Sequence, residues 1–190
     1  QLFDFTNQMA PAAGRLLVAN PFMPDGSFKR AVILITEHND EGTVGFILNR
    51  EMDLQLSDVL DIPNVETYKL SNGGPVSMDT LHFVHRVPDI FPGSDEICSD
   101  VYWDGSFELL KLHLENNRLA AEEVSFFVGY SGWSPGQLEN EIKEESWVVC
   151  PASAELVFET DPESLWRTAL LLMGDTYTAV SNFPKDPRLN

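Results

Sequence analysis

Apolar residues fall first in short unbroken runs and only later at helical spacing. Arg15-Leu16-Leu17-Val18-Ala19 is a short apolar run stopped by Asn20-Pro21, and the stretch from Asn20 to Ser27, with two prolines and Asp25-Gly26, reads as a loop. Ala31 to Thr36 (AVILIT) is continuous and β-branched, the pattern of a strand covered on both faces. Thr43 to Leu48 (TVGFIL) returns across the polar cluster His38-Asn39-Asp40-Glu41-Gly42, so the pair predicts a hairpin with a loop of about five residues. Gly45 inside the second strand predicts a bulge or a close backbone approach.

Further on, Leu54, Leu56, Val59 and Leu60 predict a short helix ended near Pro63. Tyr68-Lys69-Leu70 leads into Ser71-Asn72-Gly73-Gly74-Pro75, a tight turn. Leu81–Val84, Ile97–Trp103, Val124–Tyr130 and Trp147–Cys150 read as strands, with a polar loop from Pro88 to Asp95. Ser106 caps a helix running from Phe107 to about Asn116. Asp161 caps a last helix, with Pro162 at its first position and Gly174 at its end. Hairpins followed by strands alternating with short helices predict a mixed-sheet α+β domain, and neither a G-x-G-x-x-G after a strand nor a P-loop is present. The 190 residues hold no repeat and no linker, so residues 1–13 form an N-terminal arm and 14–190 a single domain.

Charge changes the picture. Twelve Lys+Arg stand against 30 Asp+Glu, a net −18 that repels nucleic-acid phosphates and anionic lipid. From Leu119 to Glu163 there are ten acids and one base, Lys143, which is either a solvated face or a surface for a basic protein partner. No apolar run reaches the roughly 18 residues a membrane helix needs. Gln1 to Ala13 lacks the basic and apolar parts of a signal peptide, so a cytoplasmic protein is expected. Cys98 and Cys150 match no metal spacing and are expected as free thiols, with a single disulfide as the alternative. His82 and His85 lie three apart on a strand, on opposite faces, and cannot share a metal. His38 reads as a solvent-facing turn residue and His113 as a helix surface or boundary residue. No metal or cofactor is expected.

The stretch Gly129-Tyr130-Ser131-Gly132-Trp133-Ser134-Pro135-Gly136-Gln137-Leu138 carries the most information. Ser134 reads as an N-cap, Pro135 as the first helical residue, Gln137 as the capping-box partner, and Trp133 with Leu138 as a staple. That scheme leaves Gly129 and Gly132 unexplained, and they imply positive φ or close approach of another group. Ser131 falls one residue short of a nucleophile elbow. Asn72-Gly73-Gly74-Pro75 offers an anion nest that Arg86 would complement, or simply a strand-ending turn.

Four ordered blocks resemble the AlgH-like (YqgE-like) family of bacterial proteins, sometimes labelled transcriptional regulators. They are Gly14-Arg15-Leu16-Leu17-Val18-Ala19-Asn20-Pro21 with Asp25 and Phe28; Ala31 to His38 continuing to Gly42, Gly45 and Asn49-Arg50; Asn72-Gly73-Gly74-Pro75-Val76; and Gly129 to Glu141 followed by Trp147. The likeness spans about Gly14 to Tyr177. Val84-His85 stands where the family often has Leu-His, His82 is extra, and Cys150 sits where the resemblance implies no particular cysteine. The resemblance implies a largely antiparallel, bifurcated sheet folded into a pseudo-barrel with flanking helices, and it implies no reaction. The leading reading is a non-enzymatic regulatory or protein-interaction protein. The alternative is a small-ligand protein or enzyme with a pocket between the Gly73-Gly74-Pro75 turn and the Gly129–Gln137 turn. Direct DNA binding, which the regulator label suggests, is opposed by the charge. The candidate ligand or partner surface is Asn72, Gly73, Gly74, Pro75, His85, Arg86, Gly129, Tyr130, Gly132, Trp133 and Gln137.

Overall fold

A computed structural model describes residues 9–23, 26–62 and 68–174. Asp25, Pro63, Tyr177 and residues 1–8 of the N-terminal arm lie outside them. In chain order the strands are β1 (Arg15–Ala19), β2 (Val32–Asn39), β3 (Gly42–Ile47), β4 (Lys69–Asn72), β5 (Val76–His85), β6 (Asp95–Cys98), β7 (Val101–Trp103), β8 (Val124–Trp133) and β9 (Trp147–Pro151). The helices are α1 (Leu56–Val59), α2 (Phe107–Glu115), α3 (Gln137–Lys143) and α4 (Pro162–Leu171), with a π-helical turn at Glu155–Glu159. The strands make one curled, largely antiparallel half-barrel in the order β6-β7-β5-β8-β3-β2-β1-β9, with β4 joined to β8 from the side. This is the mixed α+β architecture expected.

The sheet forks at β8. On one side β5 runs antiparallel to it. On the other, its first half pairs in parallel with β4 and its last three residues pair with β3. Alternation along the strands then sorts the cores. Leu16, Val18, Val32 and Leu34 face α4, packing with Leu165, Trp166, Ala169 and Leu170. Leu17, Ala19, Ile33 and Ile35 face the other way, toward Leu138 of α3, Trp133 and Trp147. A third cluster under α1 and α2 gathers Leu56, Phe83, Leu110, Leu114 and Phe126. The AVILIT run is therefore buried on both faces, each of its Val, Ile and Leu side chains contributing about 1.5–3 kcal/mol.

Several boundaries differ from the sequence expectation, each for a local reason. The β2–β3 hairpin closes through Asp40-Glu41 alone, because His38 and Asn39 continue β2. The irregularity falls between Ile35 and Glu37, and Ile35 itself pairs with Gly45. A Cβ on Gly45 would meet Ile33 Cγ2 at 2.6 Å, so the close approach is real. Ile97–Trp103 divides into β6 and β7, with Asp100 at φ 62° in the turn between them. Ser71 and Asn72 extend β4 rather than starting a turn. Asp161 caps α4 as expected, accepting from Glu163 N at 3.1 Å. Among the described residues no helix is long and apolar enough to cross a membrane.

Candidate functional site

The two glycine turns meet main chain to main chain. A Cβ on Gly74 would lie 2.3 Å from the Tyr130 carbonyl, and one on Gly129 would lie 2.6 Å from Gly74 O. Gly129 also holds φ 71°, a left-handed conformation that glycine adopts without cost. Gly73 N donates to Val128 O at 2.9 Å and Gly74 N to Asn72 Oδ1 at 3.1 Å, so neither amide is left to hold an anion. Arg86 sits elsewhere, over the Phe158 ring and 3.5 Å from Glu159. Where the alternative readings placed a nest and a pocket, the two turns form a backbone seam. Pro75 follows the seam at the surface. Ser131 closes it: its hydroxyl is fully buried and donates to Gly73 O at 3.0 Å, which removes it as a nucleophile.

The turn after β8 also differs from the expected cap. Gly136 has φ 81° and ψ −12°, so Ser134-Pro135-Gly136-Gln137 makes a type II turn closed by Gln137 N to Ser134 O at 3.0 Å. Helix α3 begins after it, at Gln137, and Ser134 does not cap it. The Gln137 half of the capping box survives, since Gln137 Oε1 accepts from Ser134 N at 3.0 Å. Gln137 Nε2 donates onward to Glu141 Oε2, also at 3.0 Å. Glu141 Oε1 then accepts from two indoles, Trp133 Nε1 at 3.2 Å and Trp147 Nε1 at 3.0 Å. Glu141, one of the ten acids of the 119–163 stretch and the end of the fourth block, is thus the clamp between α3, β8 and β9.

The histidines are more enclosed than expected. His85 is fully buried between Phe91 and Tyr102, and burial pushes its pKa down to about 4. Its Nδ1 accepts from Val87 N at 3.2 Å, and its Nε2 has no partner among the described residues. His85 is therefore core rather than surface. His82 lies on the opposite face beside Phe46, Trp103 and Tyr130. His113 is buried, with Nε2 2.8 Å from Ile90 O. His38 bridges Thr43 Oγ1 at 2.6 Å and Glu139 Oε1 at 3.3 Å, tying the hairpin to α3. Cys98 and Cys150 are unpaired, and burial pushes their thiols up to about 11 and about 12. Among the described residues no three His, Cys, Asp or Glu side chains gather to hold a metal.

What remains of the candidate surface converges at the closed end of the β2–β3 hairpin. An open groove of 420 Å³ is floored by Val44, Val76, Tyr130 and Gly132 and edged by Glu37 and Glu41. Trp133 reaches its end, and no basic side chain lines it. Gly132 is exposed, carries no positive φ, and a Cβ there would meet the Tyr130 ring at 3.4 Å and Thr43 O at 4.0 Å, both ordinary contacts. Half of the ten acids of the 119–163 stretch are committed elsewhere: Glu123 to Ala120 N, Glu139 to His38, Glu141 to the indoles, Glu159 to Arg86 and Asp161 to the α4 cap. The groove's own acids come from the hairpin instead.

Comparison with known proteins gives a consistent picture. A family model described as AlgH-like matches residues 16–178. A UPF0301 protein of Cytophaga hutchinsonii is 40% identical, the match covering 93% of this chain and 98% of that protein. One of Parabacteroides distasonis is 38% identical, covering 100% and 97%. The solution structure of the AlgH protein from Pseudomonas aeruginosa aligns with a TM-score of 0.73 at 26% identity, covering 93% of this chain and 97% of that one. A crystal structure of a Corynebacterium diphtheriae protein shares the fold, with a TM-score of 0.77 at 23% identity over 96% and 97% of the two chains.

Proposed function

The chain belongs to the AlgH-like family, and on that premise we propose a non-enzymatic regulatory or protein-interaction protein that docks a basic, extended segment of a partner protein in the hairpin-end groove. The observation that carries this reading is Gly132. Its neighbours Gly74 and Gly129 are demanded by the seam, whereas nothing in the fold requires a glycine at 132. A strand position open to solvent ordinarily gains from a β-branched residue. Leaving it bare keeps the floor beside Tyr130 open.

The chemistry of the groove selects its occupant. Lysine and arginine lay their aliphatic stems on apolar floors and keep their charged heads at a polar edge. Val44, Val76 and Tyr130 supply the floor, and Glu37 and Glu41 the edge. The surrounding charge of −18 steers a basic partner inward and turns duplex DNA away. The small-ligand alternative loses support, because the pocket it needed is filled by main chain.

A short Lys/Arg-rich peptide titrated into labelled protein tests the proposal by NMR. Shifts confined to Val44, Val76, Tyr130 and Gly132, abolished by Gly132→Val at unchanged melting temperature, are expected. Shifts scattered over the acidic surface, or unaffected by Gly132→Val, refute it.

A further inference from the structure

The open end of the same hairpin, about 25 Å away along β2, carries the opposite charge. A cleft of 870 Å³ lies between the Lys29-Arg30 turn, the Asn49-Arg50-Glu51 segment after β3 and the first turns of α4. Lys29, Arg30, Arg50 and Arg167 all line it, a third of the 12 basic residues of a chain with 30 acids. Three separate segments deliver them, so this is convergence in space and not a basic run.

Two of the cations, Arg30 and Arg50, are partly desolvated. Arg30 is held below the ordinary arginine value by burial and then by the charge of Arg167. It lies 4.4 Å over the Trp166 ring, from a backbone at φ 55° that non-glycine residues seldom adopt. Trp166 is fixed in turn by donating to Ala19 O at 2.8 Å. Arg50 is half-buried, and burial lowers its pKa too. Its hydrogen bonds go to the main-chain carbonyls of Asn49 and Lys29, and among the described residues no carboxylate forms an ion pair with it. Main-chain carbonyls hold a guanidinium in place without neutralising it.

Three carboxylates share the cleft with these four cations, which leaves its lining with an excess of positive charge. Glu51 and Asp161 act on Lys69, raising a pKa that burial lowers. Asp161 also caps α4. Glu163 is exposed and stands one turn before Arg167 on α4. Glu51 and Asp161 therefore weight the Lys69 side, away from Arg50.

We propose that this cleft binds a multiply charged, phosphate-bearing small molecule, contacted by Lys29, Arg30 and Arg50, with Arg167 at the rim. Donors arriving from several directions suit a tetrahedral oxyanion better than the two coplanar oxygens of one carboxylate. A small ligand fits where a polyanion does not. Screening limits each charge to about 8 Å at physiological ionic strength, so a molecule inside the cleft feels its walls. A nucleic-acid backbone or a lipid surface would instead extend across the acidic exterior.

Isothermal titration of the full chain with inorganic pyrophosphate is the test. Saturable binding that weakens with added salt is expected. Lys29→Gln and Arg50→Gln should each weaken it about tenfold, as loss of a charge-assisted contact does. Lys111→Gln, on exposed α2, should leave it unchanged, and Glu163→Gln should tighten it. Gly132→Val should not affect it, which separates this site from the peptide groove. If Arg50→Gln fails to fold, Lys29→Gln decides. The proposal is overturned by no saturable binding, by equal affinity in Lys29→Gln, by citrate binding more tightly than pyrophosphate, or by duplex DNA or anionic vesicles binding where pyrophosphate neither binds nor competes.

Discussion

Replacing Glu141 by alanine tests the clamp that joins α3 to the sheet. The side chain accepts from two indole N–H groups, and both indoles are almost wholly buried, Trp147 at 1% exposure and Trp133 at 6%. A hydrogen bond to a charged acceptor contributes about 1.5–3 kcal/mol, and a buried donor left without one costs about 1–3 kcal/mol. Glu141 itself is half-buried, so water entering the vacated site recovers part of that loss. The lower end of the range applies to each indole, and the Gln137 contact adds less. Glu141→Ala should therefore destabilise the protein by about 3 kcal/mol, a fall of about 6–12 °C in Tm for a chain of this size. Glu141→Gln keeps one oxygen for the indoles but turns an amide donor toward Gln137, and about 1 kcal/mol is expected. Glu144→Ala is the control, since Glu144 is exposed at the α3 C-terminus where the helix dipole disfavours it. Urea unfolding followed by tryptophan emission reads all three. A Glu141→Ala midpoint matching that of Glu144→Ala would refute the clamp.

The remaining predictions use the same assay. Gly74→Ala should cost about 3 kcal/mol or more, because its Cβ must displace the Tyr130 main chain; a near-neutral result would break the seam argument. Gly132→Val should be neutral or slightly stabilising, and a loss above about 1 kcal/mol would show a structural need for that glycine. Gln137→Glu should destabilise by about 1 kcal/mol, since it removes the donor to Glu141 and places a like charge one turn away. His85 has its folded pKa pushed from the ordinary 6.5 to about 4, so the unfolded chain takes up a proton between those values that the folded chain does not. Stability should then fall as pH drops from 6.5 toward 4, with His82 adding in the same direction. His85→Phe should flatten that slope, and an unchanged slope would count against it.

Strands whose pattern is local were legible in the sequence, and pairings made at long range were not. AVILIT announced a doubly covered strand because both faces of β2 meet apolar cores. Ser106 and Asp161 announced their helices because capping involves only neighbouring residues. Ser71-Asn72 resembled a turn because its partner is Phe127-Val128, far along the chain. Asp100 hid a hairpin because it enters the left-handed region without a glycine to mark it. Gly136 takes the N-cap position expected of Ser134, since Pro135-Gly136 satisfies a type II turn before a helix can start. Of the candidate surface, Tyr130, Gly132 and Trp133 reach the groove, while Gly73, Gly74 and Gly129 serve the seam and His85 the core. Glu37 and Glu41 were missed because charge was weighed along the chain, whereas the groove is assembled from four strands. The basic cleft escaped for the same reason, its cations arriving from residues 29–30, 50 and 167.

The pairing of β1 with β9 joins Arg15 to Pro151 and Ala19 to Trp147. During synthesis the first strand leaves the ribosome long before its neighbour exists. At the usual rate of about 5–20 residues per second, it waits about 6–26 s with that edge bare. Trp147 and Val149, which complete the core beside Leu17 and Ile33, arrive with the same late strand. The β2–β3 hairpin can form early, but the half-barrel acquires its last wall only when nearly the whole domain has been translated. A chain released before residue 147 presents an unpaired strand above an uncovered apolar layer, the kind of surface that chaperones and proteases recognise.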